Sequence, residues 1–188
     1  MSLNDGKDLV VHQIDNGEMK GIGTGTVVWP AAHVLVKYIE MRFAGGGLEE
    51  KRVIDIGSGT GCTGLVAGIL GARVTLTDQD SVHTLLQSNI KACCEKFGID
   101  PDALQYQEYE WEHSADHLAP PFDLVLVSDC VLPKLYPIEP LVKVRENVMH
   151  SIKPGISLFI FQSVSIPLSV CLLCTAPRKH TMCVWVSH

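Results

Sequence analysis

The sequence predicts an α/β fold: a doubly wound, mostly parallel sheet covered by helices on both faces. Three observations predict it. Strand-like and helix-like segments alternate along the chain, which argues βαβ connections. The strand-like runs are continuously apolar, as strands buried on both faces are. A glycine-rich loop, VIDIGSGTGCTG over 53–64, joins the first such strand to a helix. Doubly wound folds bind ligands at that kind of junction, beyond the carboxyl ends of their strands.

In chain order, Ala31, Val34, Leu35, Tyr38 and Ile39 recur at helical spacing, and Pro30 suits the first turn of that helix. Gly45, Gly46 and Gly47 mark a loop. A short strand is expected over 52–56 and a helix over 62–70, with Gly71 as its C-terminal cap. A β-branched strand follows over 73–77. Asp80 or Ser81 is placed to cap a helix running to about Phe97, with Val82, Leu86, Ile90 and Cys93 on one face. Further strands are expected over 104–110, 122–128 and 156–162, with a helix over 138–152 and a turn at Lys153-Pro154-Gly155. Only 26 residues remain after Gln162. They offer two short strands, 168–174 and 181–186, with little room for a helix between them. The C-terminal end is therefore abbreviated. The 188 residues fit one domain: an N-terminal segment over 1–24, a ligand-binding core over 25–162 and a short tail over 163–188.

Composition narrows the classes of function. Hydrophobic residues make up 46% and charged residues 19%, a globular balance and not a disordered one. A net charge of -6 argues against a broadly basic nucleic-acid binder. The N-terminus MSLNDGKDLV has no basic stretch followed by an apolar block. The apolar tail SLFIFQSVSIPLSVCLLC is broken by Pro167, so no membrane span is expected. Seven cysteines in mostly apolar runs read as reduced thiols of a cytoplasmic protein, with the nucleus as a further location. Cys171, Cys174, His180 and Cys183 have a spacing known in zinc sites. On a strand, however, a C-x-x-C pair points to opposite faces, so no metal is expected.

The glycine loop admits several ligands. A phosphate-cradling P-loop needs a Lys after its last glycine, and Gly61-Cys62-Thr63-Gly64 has none. A dinucleotide fingerprint is formally present at Gly59, Gly61 and Gly64. Its register is off by one glycine, because Gly57 follows the strand first and Cys62 then stands where the third glycine belongs. Asp78 closes the second strand, where a carboxylate can accept hydrogen bonds from two ribose hydroxyls or cap the next helix. That acid is shared with NAD enzymes, so an NAD-dependent oxidoreductase remains a rival reading.

Asp55-x-Gly57-x-Gly59-x-Gly61 resembles motif I of the class I, seven-strand S-adenosylmethionine-dependent methyltransferases, which have a Rossmann-like fold. Gly25 to Ala32, GTVVWPAA, resembles the G-x-V-V-W-D-A-A segment of one branch, methyltransferase family 16. This branch comprises protein-lysine methyltransferases that act on chaperones, translation elongation factors and valosin-containing AAA ATPases. Asp78, Glu110-Trp111 and Ser128-Asp129-Cys130 follow in the family's order. The resemblance implies S-adenosylmethionine as cofactor, a protein substrate and a monomer. It implies that Asp55, Gly57, Gly59 and Gly61 hold the methionine end, with the Asp55 carboxylate attracting its cationic amino group. It places Trp29 beside the cofactor, Asp78 on the ribose, Trp111 near the adenine and Ser128 at the cofactor through its backbone.

The family orients its substrate amine with an Asp-x-x-Tyr or Asp-x-x-Phe motif. Here Asp129 is kept, but Leu132 stands where the aromatic belongs, and Tyr136 is a displaced candidate for it. Asp129 and Tyr136 are thus the expected catalytic pair. For Asp129 a cap on the following helix is the alternative, and for Tyr136 a packing role. The departure at Leu132 and the short tail also motivate a third reading, an inactive binding module or isoform.

Overall fold

The computed structural model describes residues 1–130, 139–149, 157–162 and 181–185. Among them, six parallel strands form one sheet in the order β3-β2-β1-β4-β5-β6. Helix α1 (Pro30–Arg42) opens the α/β core, with Pro30 in its first turn. Strand β1 (Arg52–Ile56) leads through the glycine loop into helix α2 (Cys62–Ile69) and strand β2 (Arg73–Asp78). Helix α3 (His83–Phe97), strand β3 (Leu104–Glu108) and strand β4 (Leu124–Ser128) follow. Helix α4 (Glu139–Met149), strand β5 (Ser157–Gln162) and strand β6 (Thr181–Trp185) complete the described elements.

The strand order reverses at β1. Val53 pairs with Val74 of β2 on one side and with Leu124 of β4 on the other. Alternate strand residues serve opposite faces. Val53, Leu124 and Leu126 join one core with residues of α1, α2 and α3, including Leu35, Leu65 and Leu86. Ile54, Ile56, Val125 and Val127 join a second core with Leu141, Val144 and Val148 of α4. Both faces are covered, so both sets of side chains are apolar, and the continuous runs in the sequence follow. Full burial of each Leu, Ile or Val contributes about 1.5–3 kcal/mol relative to exposure.

Two expectations need correction. Neither Asp80 nor Ser81 caps α3. A 3-10 turn over Asp80–Val82 carries the chain into the helix with no side-chain cap, and buried Val82 anchors it. Strand β3 ends at Glu108: the Tyr109 N–H makes the last bond to β2, at the Asp78 carbonyl, and the chain then turns, with the His113 N–H donating to the Glu110 carbonyl. The last strand, β6, runs parallel to β5, with Leu158 opposite Thr181 and Gln162 opposite Trp185. The expected strand over 168–174, the turn at 153–155, and Leu132, Tyr136, Cys171, Cys174 and His180 lie outside the described residues. Among the described residues, no helix is long and apolar enough to cross a membrane.

Candidate active site

The glycine loop leaves β1 and turns sharply into α2. Gly57 and Gly59 have φ of 63° and 55°, the left-handed region that glycine adopts without strain. Space requires glycine as well. A Cβ on Gly59 would lie 2.8 Å from the Gly25 carbonyl oxygen, and one on Gly57 would lie 2.8 Å from Cys130 Sγ. The loop is fastened to the end of β2, where Ser58 N–H donates to the Thr77 carbonyl at 2.8 Å.

Two carboxylates hold this loop from different sides. Asp78 Oδ2 accepts from Gly59 N–H at 2.7 Å, and its Oδ1 accepts from Gln79 N–H at 2.8 Å. A carboxylate offers about four lone-pair sites, so both oxygens retain acceptor capacity toward the adjoining cavity. Burial raises the Asp78 pKa, while the two N–H donors oppose that shift. Asp55 Oδ2 accepts from the Thr63 hydroxyl at 2.6 Å and from Gly64 N–H at 2.8 Å. Its Oδ1 is buried with no hydrogen-bond partner among the described residues. Burial pushes Asp55 up to about 7, against the two hydrogen bonds that pull it down.

Beyond the carboxyl ends of β1, β2 and β4 lies a cavity of about 380 Å³. That size lies within the range of small-molecule sites, roughly 300–1,000 Å³. Residues 22–25 and 27–29 form one wall and residues 57–60 another, with Asp78, Trp111, Ser128 and Asp129 around them. Trp29 is fixed by its indole N–H, which donates to the Thr24 carbonyl at 3.1 Å. Trp111 lies against the loop, 3.2 Å from where a Gly57 Cβ would be. The Ser128 hydroxyl is buried with no hydrogen-bond partner among the described residues. Asp129 has φ of 52°, and its Oδ2 accepts from the Ala31 N–H in the first turn of α1 at 2.9 Å. It therefore caps α1, a helix 98 positions earlier in the chain. Asp78, Glu110, Glu112 and Asp129 line the cavity, and no Lys, Arg or His does so among the described residues.

Seven expected residues thus meet on one cavity: Trp29, Gly57, Gly59, Asp78, Trp111, Ser128 and Asp129. Asp55 and Gly61 are placed differently from expectation. Neither is on the cavity wall. Asp55 faces α2, where Thr63 and Gly64 capture its Oδ2, so that oxygen fastens the loop to the helix. A Cβ on Gly61 would meet Leu86 at 2.6 Å, so Gly61 packs on α3. Gly64 is a close helix–sheet contact; its Cβ would lie 2.8 Å from Leu76. Sequence reasoning missed Thr63, Cys130 and Asn89. Asn89 had a signal: it is a polar residue on the apolar stripe of α3, beside Leu86 and Ile90.

This arrangement suits a cofactor with ribose hydroxyls, an aromatic base and positive charge. An acceptor-only carboxylate stands at the end of β2, two indoles border the cavity, and its ionisable lining groups are acids. A pyrophosphate would find carboxylates and, among the described residues, no cation there.

Comparison with known proteins agrees with the fold. The lysine methyltransferase family matches residues 4–160. Protein N-lysine methyltransferase METTL21A of Mus musculus is 36% identical over 117 residues, covering 61% of this chain and 51% of the relative. Its Danio rerio counterpart is 38% identical over 116 residues, with the same coverage. Protein-lysine N-methyltransferase EFM6 of Saccharomyces cerevisiae is 29% identical over 172 residues, covering 79% of this chain and 66% of the relative. The chain spans about half the length of the METTL21A relatives it matches. Among solved structures, the glycopeptide N-methyltransferase MtfA complexed with S-adenosyl-L-homocysteine aligns with a TM-score of 0.53 at 14% identity. That alignment covers 79% of this chain and 60% of the other, a likeness of fold. The family match runs from the N-terminal segment to β5 and takes in every wall of the cavity: the chain belongs to the lysine methyltransferase family.

Proposed function

We propose that the cavity binds S-adenosylmethionine and that the chain transfers its methyl group to a lysine side chain of a protein. The observation that carries this reading is the cavity lining: Asp78 and the glycine loop beside Trp29 and Trp111, with acids and no basic residue among the described lining groups. Asp78 would take the ribose and Trp111 the adenine, while the acidic lining favours a cation. The cofactor, when bound, supplies an electrophilic sulfonium methyl. The chain has only to bring a neutral lysine amine in line with it, so proximity and orientation dominate. Desolvation at the cavity mouth and the positive charge of a bound sulfonium would favour the neutral amine, against the lining carboxylates, which favour the ammonium. Asp129 is held rigidly by the Ala31 N–H on the cavity wall, where its carboxylate would orient that amine. The amine nitrogen would take the methyl as the methyl–sulfur bond breaks, its electron pair staying on sulfur as a neutral thioether, and the nitrogen would then shed one proton to water.

By family resemblance the substrate is a chaperone, an elongation factor or an AAA ATPase, met in the cytoplasm or nucleus by a monomeric enzyme. The free thiols of Cys62, Cys93, Cys94 and Cys130 suit a reducing compartment. Calorimetry with S-adenosylhomocysteine tests the cofactor. Binding is expected, with a loss of tenfold or more in Asp78→Ala, as removal of a charged hydrogen-bonding group costs about 1.5–3 kcal/mol. Binding of NADH in its place would establish the oxidoreductase reading instead. Radiolabelled methyl transfer to a lysate protein, followed by mass spectrometry of the labelled band, tests the lysine acceptor.

A further inference from the structure

The geometry points to Asn89 as a positioning residue for cofactor binding: its side-chain amide ties the N-terminal segment to the glycine loop and so sets the gap between two walls of the cavity. Asn89 lies in α3 and is fully buried. Its Oδ1 accepts from the His12 N–H at 2.8 Å. Its Nδ2 donates to the His12 carbonyl at 3.0 Å and to the Thr60 carbonyl at 2.9 Å. The first two bonds pair a side-chain amide with one backbone residue, much as a strand rung would. The third grips the loop between Gly59 and Gly61. The His12 N–H demands an oxygen and the two carbonyls demand an NH2 group, so only an amide in this orientation satisfies all three.

From His12 the tie continues to the cavity. Gln13 Oε1 accepts from the Val28 N–H at 2.6 Å, and the Ile14 N–H donates to the Thr26 carbonyl at 2.9 Å. Residues 12–14 thus hold residues 26–28, which adjoin Gly25 and Trp29. Gly25 then lies against Gly59, whose Cβ would come within 2.8 Å of the Gly25 carbonyl oxygen. One buried amide fastens both walls from behind, without touching the cavity itself. An open and mobile wall would have to be ordered at the moment of binding, which weakens affinity.

The identity of the ligand rests on the methyltransferase reading; the tie does not. The test uses the 188-residue chain with Asn89→Asp, which keeps the shape and the acceptor but loses both donors. A second variant, His12→Pro, removes the N–H from an exposed loop residue and leaves the core intact. Hydrogen exchange and S-adenosylhomocysteine calorimetry are read on each. Exchange is expected to rise selectively over residues 12–14 and 22–29 while β1 and β4 stay protected. The dissociation constant is expected to rise about tenfold, the factor that roughly 1.4 kcal/mol produces. Unchanged exchange over those residues, a uniform rise across the sheet, or unchanged affinity would each overturn the inference. If the wild-type chain fails to bind S-adenosylhomocysteine, the functional reading falls, and the exchange pattern alone decides the role of Asn89.

Discussion

Asp55 and Asp129 are carboxylates whose roles separate by what each oxygen touches. Burial raises Asp55 from 3.8 to about 7. The folded chain then keeps a proton that the unfolded chain releases in that window. The stability contributed by Asp55 is fully present below about pH 3.8, falls as the pH rises, and is lost above about pH 7. Asp55→Asn keeps an oxygen for Thr63 and Gly64 but does not titrate. Urea denaturation of both proteins should show the wild type losing stability relative to the variant between those two pH values, by about 1.4 kcal/mol for each pH unit crossed. A difference that stays flat with pH would contradict burial as the dominant cause. At Asp129 the test separates a helix cap from an amine-orienting charge. Asp129→Asn retains an acceptor for the Ala31 N–H and tolerates the left-handed φ. Asp129→Ala loses the cap and strains the backbone, so a thermal melt should show a loss of about 1–2 kcal/mol in the Ala variant alone. Methyl transfer should fall at least tenfold in both, since a charged hydrogen bond is worth about 1.5–3 kcal/mol. Full activity in the Asn variant would reduce Asp129 to its cap.

Among the elements, α2 shows how closely the fold is fitted. Gly64 and Gly68 are four residues apart and share a face. A Cβ at Gly64 would lie 2.8 Å from Leu76 Cδ2, and one at Gly68 would lie 2.4 Å from Leu104 Cδ2. Both leucines are buried, so each must shift within the core to make room. Gly68→Ala gains about 1 kcal/mol of helix propensity. Overpacking costs about 1–3 kcal/mol and should win. Chemical denaturation should therefore show a less stable protein; a more stable one would mean that α2 can slide off the sheet. The strands were legible because burial on both faces leaves apolar runs that no exposed strand shows. The loop was legible because glycine spacing after a strand has few other uses. The direction of Asp55 was not legible: the motif says which residues cluster, while the hydroxyl of Thr63, the second residue of α2, decides which way the carboxylate points. The entry to α3 was missed because burial of Val82, a tertiary demand, outweighs the capping preference of Asp80 and Ser81. Asn89 is visible as a polar intrusion on an apolar stripe, but its partner His12 lies 77 positions away and no local pattern names it.

Over the whole molecule, the cavity belongs to one half of the sheet. Its walls come from the N-terminal segment and from the carboxyl ends of β1, β2 and β4, where the strand order reverses. Strand β6 stands at the far edge and pairs only with β5 among the described strands. Its contribution to the molecule is then to cover β5, whose backbone groups from Leu158 to Gln162 face it in register. An uncovered strand of a parallel sheet is a template for pairing with another chain. Deleting residues 163–188 should therefore produce association, seen as a rise in mass by light scattering, while S-adenosylhomocysteine affinity stays within about threefold, a change of under 1 kcal/mol. Charge works against association in this experiment. The deleted segment carries Arg178 and Lys179 and no acid, so the shortened chain is more negative than the full one at -6 and repels itself more strongly. Association despite that repulsion would locate the cause in the bared edge of β5. A shortened chain that stayed monomeric would show that β6 does not protect the edge, and a parallel loss of affinity would show that the two halves of the sheet are coupled.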